Sequence, residues 1–147
     1  MIRLVNITDI EAWLKLASEV ENLFGKMSGV PEFENGIRHC IENQSAFCDV
    51  NSDGEILGII AIDKTANEIC WFVVGKDYRG MGAGKKLLQA ALDNLSKLKP
   101  VLVQTFASEI PEGKAARKLY MKFGFEDFKQ AEKNPAGIPT VIMRKTL

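Results

Sequence analysis

The sequence predicts an α/β domain with a single mixed central sheet flanked by helices. Three observations lead there. Stretches of strand-like and helix-like hydrophobic spacing alternate along all 147 residues in the order β-α-α-β-β-β-α-β-α-β-β. The segment "EICWFVV", Glu68 to Val74, is apolar on both alternating sets, the pattern of a strand covered on both faces. No linker, low-complexity tract or internal repeat interrupts the chain, so one domain is expected over residues 1–147, long enough to bury a core.

In order, Arg3 to Asn6 read as a short first strand. "TDIE", Thr8 to Glu11, has the capping-box spacing that satisfies amides at a helix start. Trp13, Ala17, Val20 and Phe24 then share one face of a helix that "GKMSGVP" ends. Pro31 suits the first turn of a second helix, with Phe33, Ile37 and Ile41 on its buried side. "SAFCDV" and "EILGIIAIDK" read as strands joined by "NSDG", with Asp53-Gly54 supplying the turn. "EICWFVV" takes the central position, and a helix after a glycine-dense bend turns Leu88, Ala91, Leu92 and Leu95 inward. "VLVQTFA" is a further buried strand, and "PEGKAARKLYMKFG" is a helix with Pro near its start and Gly124 after its end. "FEDFK" and "TVIMRKTL" close the sheet around the turn-rich "EKNPAGIP".

Composition excludes several functions. Nineteen basic residues balance nineteen acidic ones, so no overall field draws the chain to nucleic acid or an anionic membrane, and neither is expected as a partner. No apolar run reaches the ~18 residues of a membrane span. "MIRLVNITDIEAW" lacks the basic region, apolar segment and cleavage site of a signal peptide. The three cysteines, Cys40, Cys48 and Cys70, show no CxxC spacing and read as reduced thiols, which places the chain in the cytoplasm. Cys70, on the apolar strand, reads as a small core residue.

The chemistry concentrates in "VVGKDYRGMGAGKKLL", where Gly80, Gly82 and Gly84 separate a buried strand from a helix. Glycines without a Cβ admit a close ligand, and the first helical amides have no intrahelical partners and sit at the positive end of the helix dipole. A phosphate cradle follows, with Arg79, Lys85 and Lys86 adding charge. A P-loop requires GxxxxGK and then Ser or Thr. Arg79 stands where its first glycine belongs and Lys86 where its hydroxyl belongs. The dinucleotide pattern GxGxxG fails at Lys85 from one start and at Leu87 from the other. What remains is R-x-x-G-x-G, carried by Arg79, Gly82 and Gly84.

This stretch closely resembles the acyl-CoA-binding motif of the GNAT superfamily of N-acyltransferases, and "AARKLYMKFGFE", Ala115 to Glu126, resembles that superfamily's second signature, A-x-x-L-Y-x-K-x-G-F. The resemblance implies a GNAT-like fold with splayed central strands and acetyl transfer from acetyl-CoA to a primary amine by direct attack, without metal. It implies that the loop amides of Arg79, Gly80, Met81, Gly82, Ala83, Gly84 and Lys85 hold the diphosphate. It further implies that Phe72, Val73 and Val74, on a bulged strand, pair with the pantetheine arm, and that an amide at Val73 or Val74 polarises the thioester carbonyl. Tyr120 matches the general acid that protonates the leaving thiolate; its spacing with Ala116 and Phe123 alone reads as a core tyrosine.

For the base, Glu68 before the central strand and Glu109 after its neighbour are candidates, although each reads more readily as a solvated loop-edge carboxylate. His39, the only histidine, reads as a surface residue. Lys114, Arg117 and Lys118 either face the nucleotide or form a solvated helix face. Many relatives carry Asn seven residues before the tyrosine, where Gly113 stands here. The acceptor site falls to "NLFGKMSGVPEFENGIRHC" and "KNPAGIP", where Met27 and Phe33 offer an apolar wall. The family habit is a homodimer. A non-catalytic acyl-CoA-binding regulatory module is the alternative of another class, and nucleotide binding without acyl chemistry is a third.

Overall fold

The computed structural model describes residues 1–146. Strands β1 (Ile2–Leu4), β2 (Ala46–Val50), β3 (Ile56–Asp63), β4 (Glu68–Val74), β5 (Val101–Phe106), β6 (Phe125–Ala131) and β7 (Thr140–Lys145) form one sheet in the order β1-β2-β3-β4-β5-β7-β6. The β4–β5 pair is parallel and the other neighbouring strands are antiparallel, so the sheet is mixed as expected. The helices are α1 (Ile10–Ser18), α2 (Glu21–Phe24), α3 (Pro31–Glu42), α4 (Ala83–Asp93) and α5 (Lys114–Lys122). No helix among the described residues is long and apolar enough to cross a membrane.

Alternation along the strands separates two cores. On one face Ile60, Ile62, Ile69, Val101, Val103 and Met143 pack under α4 and α5 with Leu87, Leu88, Ala91 and Tyr120. On the other, Cys48, Ile59, Ala61 and Val73 pack under α1 and α3 with Trp13, Ala17 and Ile37. The inward set expected on α4 is buried throughout.

Five local expectations need correction. The first strand ends at Leu4, and the capping box lies two residues earlier than "TDIE". The Asn6 side chain accepts from the Thr8 amide, while the Asp9 carboxylate accepts from the Asn6 amide at 2.9 Å. Arg3 decides this choice, because its guanidinium also grips Asp9 at 2.7 and 3.1 Å and holds that carboxyl below its usual range. The first helix is not continuous: it stops at Ser18 and a separate turn, α2, sets Phe24 at the edge of the α1/α3 core and onto Phe106, ring centroids 5.3 Å apart.

Cys70 is not a core residue. Ala61 faces Trp71 and Ile62 faces Ile69, so Cys70 is the extra residue of a β-bulge and is exposed. Finally, Arg117 is buried rather than facing solvent or nucleotide. Its Nη1 donates to the Phe106 carbonyl at 3.3 Å and its Nη2 to Asp127 at 3.0 Å, tying α5 to β5 and β6. Lys114 and Lys118 are exposed, as is His39, which contacts only Asn43 through its ring nitrogen among the side chains described.

The central strands part. β4 and β5 pair only at Glu68–Leu102 and Ile69–Val103; beyond the bulge no pairing joins them. The closed end of this wedge is held by Asn67, which is fully buried. Its Nδ2 donates to the carbonyls of Ser96, Lys99 and Pro100 at 3.2, 3.3 and 3.0 Å, and its Oδ1 accepts from the Ser96 amide at 2.8 Å. Its backbone, at φ 57°, has the left-handed conformation that asparagine tolerates better than most residues. One side chain therefore fastens the β3–β4 turn to the segment that delivers β5.

Candidate active site

The wedge opens into a cleft of roughly 870 Å³ that passes from the α4/α5 face of the sheet to the α2/α3 face. Its β4 wall is Ile69 to Val74 and its β5 wall Val103 to Phe106. The Gly75 amide donates to the Leu57 carbonyl at 2.8 Å, on the β3 side. Strand alternation then turns the Val73 amide toward β3 and those of Phe72 and Val74 toward the gap, where β5 supplies no partner. Unpaired main-chain groups on a strand edge are a template for an extended, amide-bearing ligand.

At one mouth lies the glycine bend. Gly80 and Gly82 have φ of 80° and 85°, and a Cβ at either would meet nothing within 4 Å, so their left-handed backbone rather than crowding demands glycine. Gly82 caps α4 without a side-chain hydrogen bond, which leaves the amides of Ala83, Gly84 and Lys85 free of protein acceptors among the described residues. Gly84 is closely approached: a Cβ there would stand 3.3 Å from the Leu119 Cδ2, which would have to give by a few tenths of an ångström. Arg79, Gly80, Gly82, Ala83 and Gly84 line the cleft; Met81 is exposed beside it and Lys85 faces a shallow depression on the outer side of α4. The amides, the dipole of α4 and the nearby cations are the kind of group that could hold an anion.

Tyr120 projects from α5 into the same cleft, its ring against Phe72 and Phe125 at 6.2 and 5.5 Å. It is buried, as the core-tyrosine reading expected, and it also lines the cleft. Its hydroxyl has no hydrogen-bond partner among the described residues, and desolvation raises its pKa well above the ordinary phenol range. A phenol kept protonated beside an open space is fitted to donate a proton.

Glu68 does not line the cleft. It sits at the closed end of the wedge, on the same side of β4 as Cys70, and burial together with nearby Asp63 raises its pKa. Glu109 is exposed and also stands outside the lining. Although its side chain reaches solvent, partial desolvation by the cleft wall, with Glu68 and Asp63 beside it, raises the pKa of the Cys70 thiol and favours the protonated form.

Gly113 has a steric explanation. A Cβ there would lie 2.6 Å from the Phe106 Cβ, so an asparagine at this position would run into Phe106. Gly113→Asn is therefore expected to destabilise the fold by about 1–3 kcal/mol through overpacking, read as a lower Tm, rather than to improve cofactor binding. Unchanged stability with tighter coenzyme A binding would contradict this. Sequence patterns missed Trp71 and Phe106, which also line the cleft; Phe24 and Asn134 line it too and fall in the two segments expected to shape the acceptor site, though neither was singled out.

A parted β4–β5 pair, an anion-binding bend at the start of α4 and a buried phenol in one cleft define an enzyme of the acyl-CoA-dependent N-acyltransferase class. The family model described as the acetyltransferase (GNAT) domain matches residues 17–147, and the chain belongs to that family. Among solved structures, a ribosomal-protein-alanine N-acetyltransferase from Brucella melitensis superposes with a TM-score of 0.78 at 17% identity, covering 100% of this chain and 99% of that one. The ribosomal-protein-S18-alanine N-acetyltransferase from Escherichia coli gives 0.73 at 19% identity, covering 100% and 94%. A NatC complex bound to Gag peptide and CoA gives 0.75 at 17% identity, covering 100% and 98%. At these identities the likeness is one of fold. Among curated protein sequences none gives a significant match.

Proposed function

We propose that the protein transfers an acetyl group from acetyl-CoA to a primary amine by direct attack. The observation that carries this reading is the convergence of three features in one cleft: free amides at the start of α4, unpaired main chain on β4, and the Tyr120 hydroxyl.

The diphosphate sits on the Gly80 to Lys85 bend and the pantetheine arm fills the wedge, hydrogen-bonding the gap-facing edge of β4. Of the two amides considered for the thioester oxygen, Val74 faces the gap and Val73 faces β3, so Val74 is the proposed donor. The amine nitrogen attacks the carbonyl carbon; a C–N bond forms and the C–S bond breaks. The departing thiolate takes the Tyr120 proton, and the phenolate is reprotonated from solvent. The proton lost by the amine passes through water to Glu68, which lies on the acceptor side of β4 beyond Cys70 and whose raised pKa brings it nearer to that task. The products are the N-acetyl amide and free CoA.

Glu68→Gln is expected to lower kcat by roughly tenfold near neutral pH and to remove the acid limb of its pH profile. An unaltered profile would eliminate Glu68 as the base. The cradle has its own test. Gly82→Val is expected to weaken coenzyme A binding by at least about a hundredfold in calorimetry, because a β-branched residue at φ 85° forces the bend to rearrange. Gly54→Val is the control: φ is 82°, the surroundings are open, and the turn lies between β2 and β3. It carries the same strain and should leave affinity unchanged. Equal affinity of the wild type for coenzyme A and ADP would instead favour plain nucleotide binding.

A further inference from the structure

The two ends of the cleft differ in chemistry, and the end away from the glycine bend identifies the acceptor. Because Trp71 and Val73 join the α1/α3 core while Phe72 and Val74 join the α4/α5 core, the cleft crosses the sheet. The donor enters from the α4/α5 side, so an acceptor must approach from the side of α2 and α3.

That side is apolar. Phe24 stacks on Phe106 with centroids 5.3 Å apart, and Phe33 and Trp71 stand at 6.2 Å. The Trp71 indole N–H is directed at the Met27 sulfur, 3.5 Å away, so the ring's single polar atom is occupied. All five of these side chains line the cleft.

Two of the polar side chains nearby are already engaged. Asn134 donates to the Leu23 carbonyl at 2.8 Å and accepts from the amides of Ala136 and Ile138 at 2.9 and 3.0 Å. The Thr140 hydroxyl donates to the Glu132 carbonyl at 2.5 Å and accepts from Gln104 at 2.9 Å. The one arginine lining the cleft, among the described residues, is Arg79 on the donor side. Lys133, the acceptor-side cation, is exposed on a loop, and Glu112 and Glu132 are exposed carboxylates that favour a cationic amine over an anion.

The wall is also braced. Asn134 fastens the loop after β6 to α2, and Pro135 packs so closely on Gly25 that a Cβ there would lie 2.6 Å away. A polypeptide continuing past the reacting nitrogen must displace that brace; a small molecule need not.

We propose that the acceptor is a small free primary amine carrying an aromatic or branched apolar group, seated against Phe24, Met27, Phe33, Trp71 and Phe106. The proposal rests on the acetyltransferase reading above. A free carboxylate or the polar ring of an aminoglycoside meets an aromatic wall here rather than hydrogen-bond partners, and a polypeptide would have to displace the Asn134 brace. Burying a phenyl group is worth about tenfold to a hundredfold in selectivity over a short alkyl chain.

The test measures thiol release from acetyl-CoA with 2-phenylethylamine, 3-methylbutylamine, ethylamine, glutamate, kanamycin and an alanine-initiated peptide. Calorimetry on the same preparation follows coenzyme A binding, then 2-phenylethylamine and ethylamine binding to the CoA-loaded protein. The expected kcat/KM for 2-phenylethylamine exceeds that for ethylamine by about tenfold or more, with correspondingly tighter binding. Phe33→Ala, a half-buried position, and Trp71→Ala should bring that ratio toward one. Equal handling of the two amines, in turnover or, where no amine turns over, in binding, overturns the proposal. So does faster turnover of glutamate, kanamycin or the peptide. Failure of coenzyme A to bind refutes the acetyltransferase reading itself, whereas CoA binding without aromatic preference refutes only the acceptor assignment.

Discussion

Replacing Asn67 with alanine is expected to lower the unfolding free energy by about 3–5 kcal/mol and Tm by roughly 10 °C. The loss has two sources. Alanine removes the partner of the Ser96 amide and of three carbonyls, in a site from which water is excluded. It also places an ordinary L-residue at φ 57° without a side chain that tolerates it. Asn67→Gly separates the two, since glycine accepts the backbone and still loses every side-chain bond. A drop nearly as large as alanine's assigns the effect to the hydrogen bonds. Because the Asn67 carbonyl also accepts from the Leu102 amide at 3.2 Å, hydrogen exchange at Leu102 should speed up in both variants, reporting a loosened wedge. A change within about 0.5 kcal/mol would show that β4 and β5 are held together without this side chain.

The second large effect is on chemistry. Tyr120→Phe is expected to reduce kcat by roughly 10²-fold while coenzyme A affinity stays within about twofold, because the ring keeps its packing against Phe72 and Phe125 and only the hydroxyl goes. The pH dependence follows from the raised pKa of this phenol, whose cause is desolvation. The acid form is the active one, and it persists above the ordinary phenol range near ~10. The wild-type kcat profile should therefore show no descending limb from Tyr120 below about pH 10. A descending limb near pH 8 that disappears in Tyr120→Phe would contradict the desolvation argument. Unchanged turnover in the variant would remove Tyr120 from the reaction and favour a module that binds acyl-CoA without transferring it.

The parts of this structure written locally were legible in the sequence. Gly80, Gly82 and Gly84 announced a bend before a helix, and the same few residues set both the backbone angles and the free amides. The order of elements followed from hydrophobic spacing, and α4 buried its expected face. What was not legible depends on partners far along the chain. Asn67 reads as an ordinary turn residue until the segment from Ser96 to Pro100 folds over it. Arg117 has the spacing of a surface cation, yet the Phe106 carbonyl and Asp127 draw it inward. Cys70 was misplaced because one bulge resets the two-residue alternation, and no single-strand pattern marks where a bulge falls. "NITD" and "TDIE" offer overlapping caps, and the choice rests with Arg3 on a neighbouring strand. The break after Ser18 has no proline or glycine to signal it; its consequence is the Phe24–Phe106 stack that helps wall the acceptor end.

The wedge itself is the claim on which the chemistry depends, and a crystal structure of the protein with coenzyme A tests it most directly. The diphosphate should lie on the amides from Gly80 to Lys85, with the pantetheine arm between β4 and β5 hydrogen-bonded to the main chain of Phe72 and Val74. The sulfur should then fall within reach of the Tyr120 hydroxyl. Coenzyme A bound outside the wedge, or β4 and β5 zipped together beyond Ile69 with no room for it, would contradict the assignment.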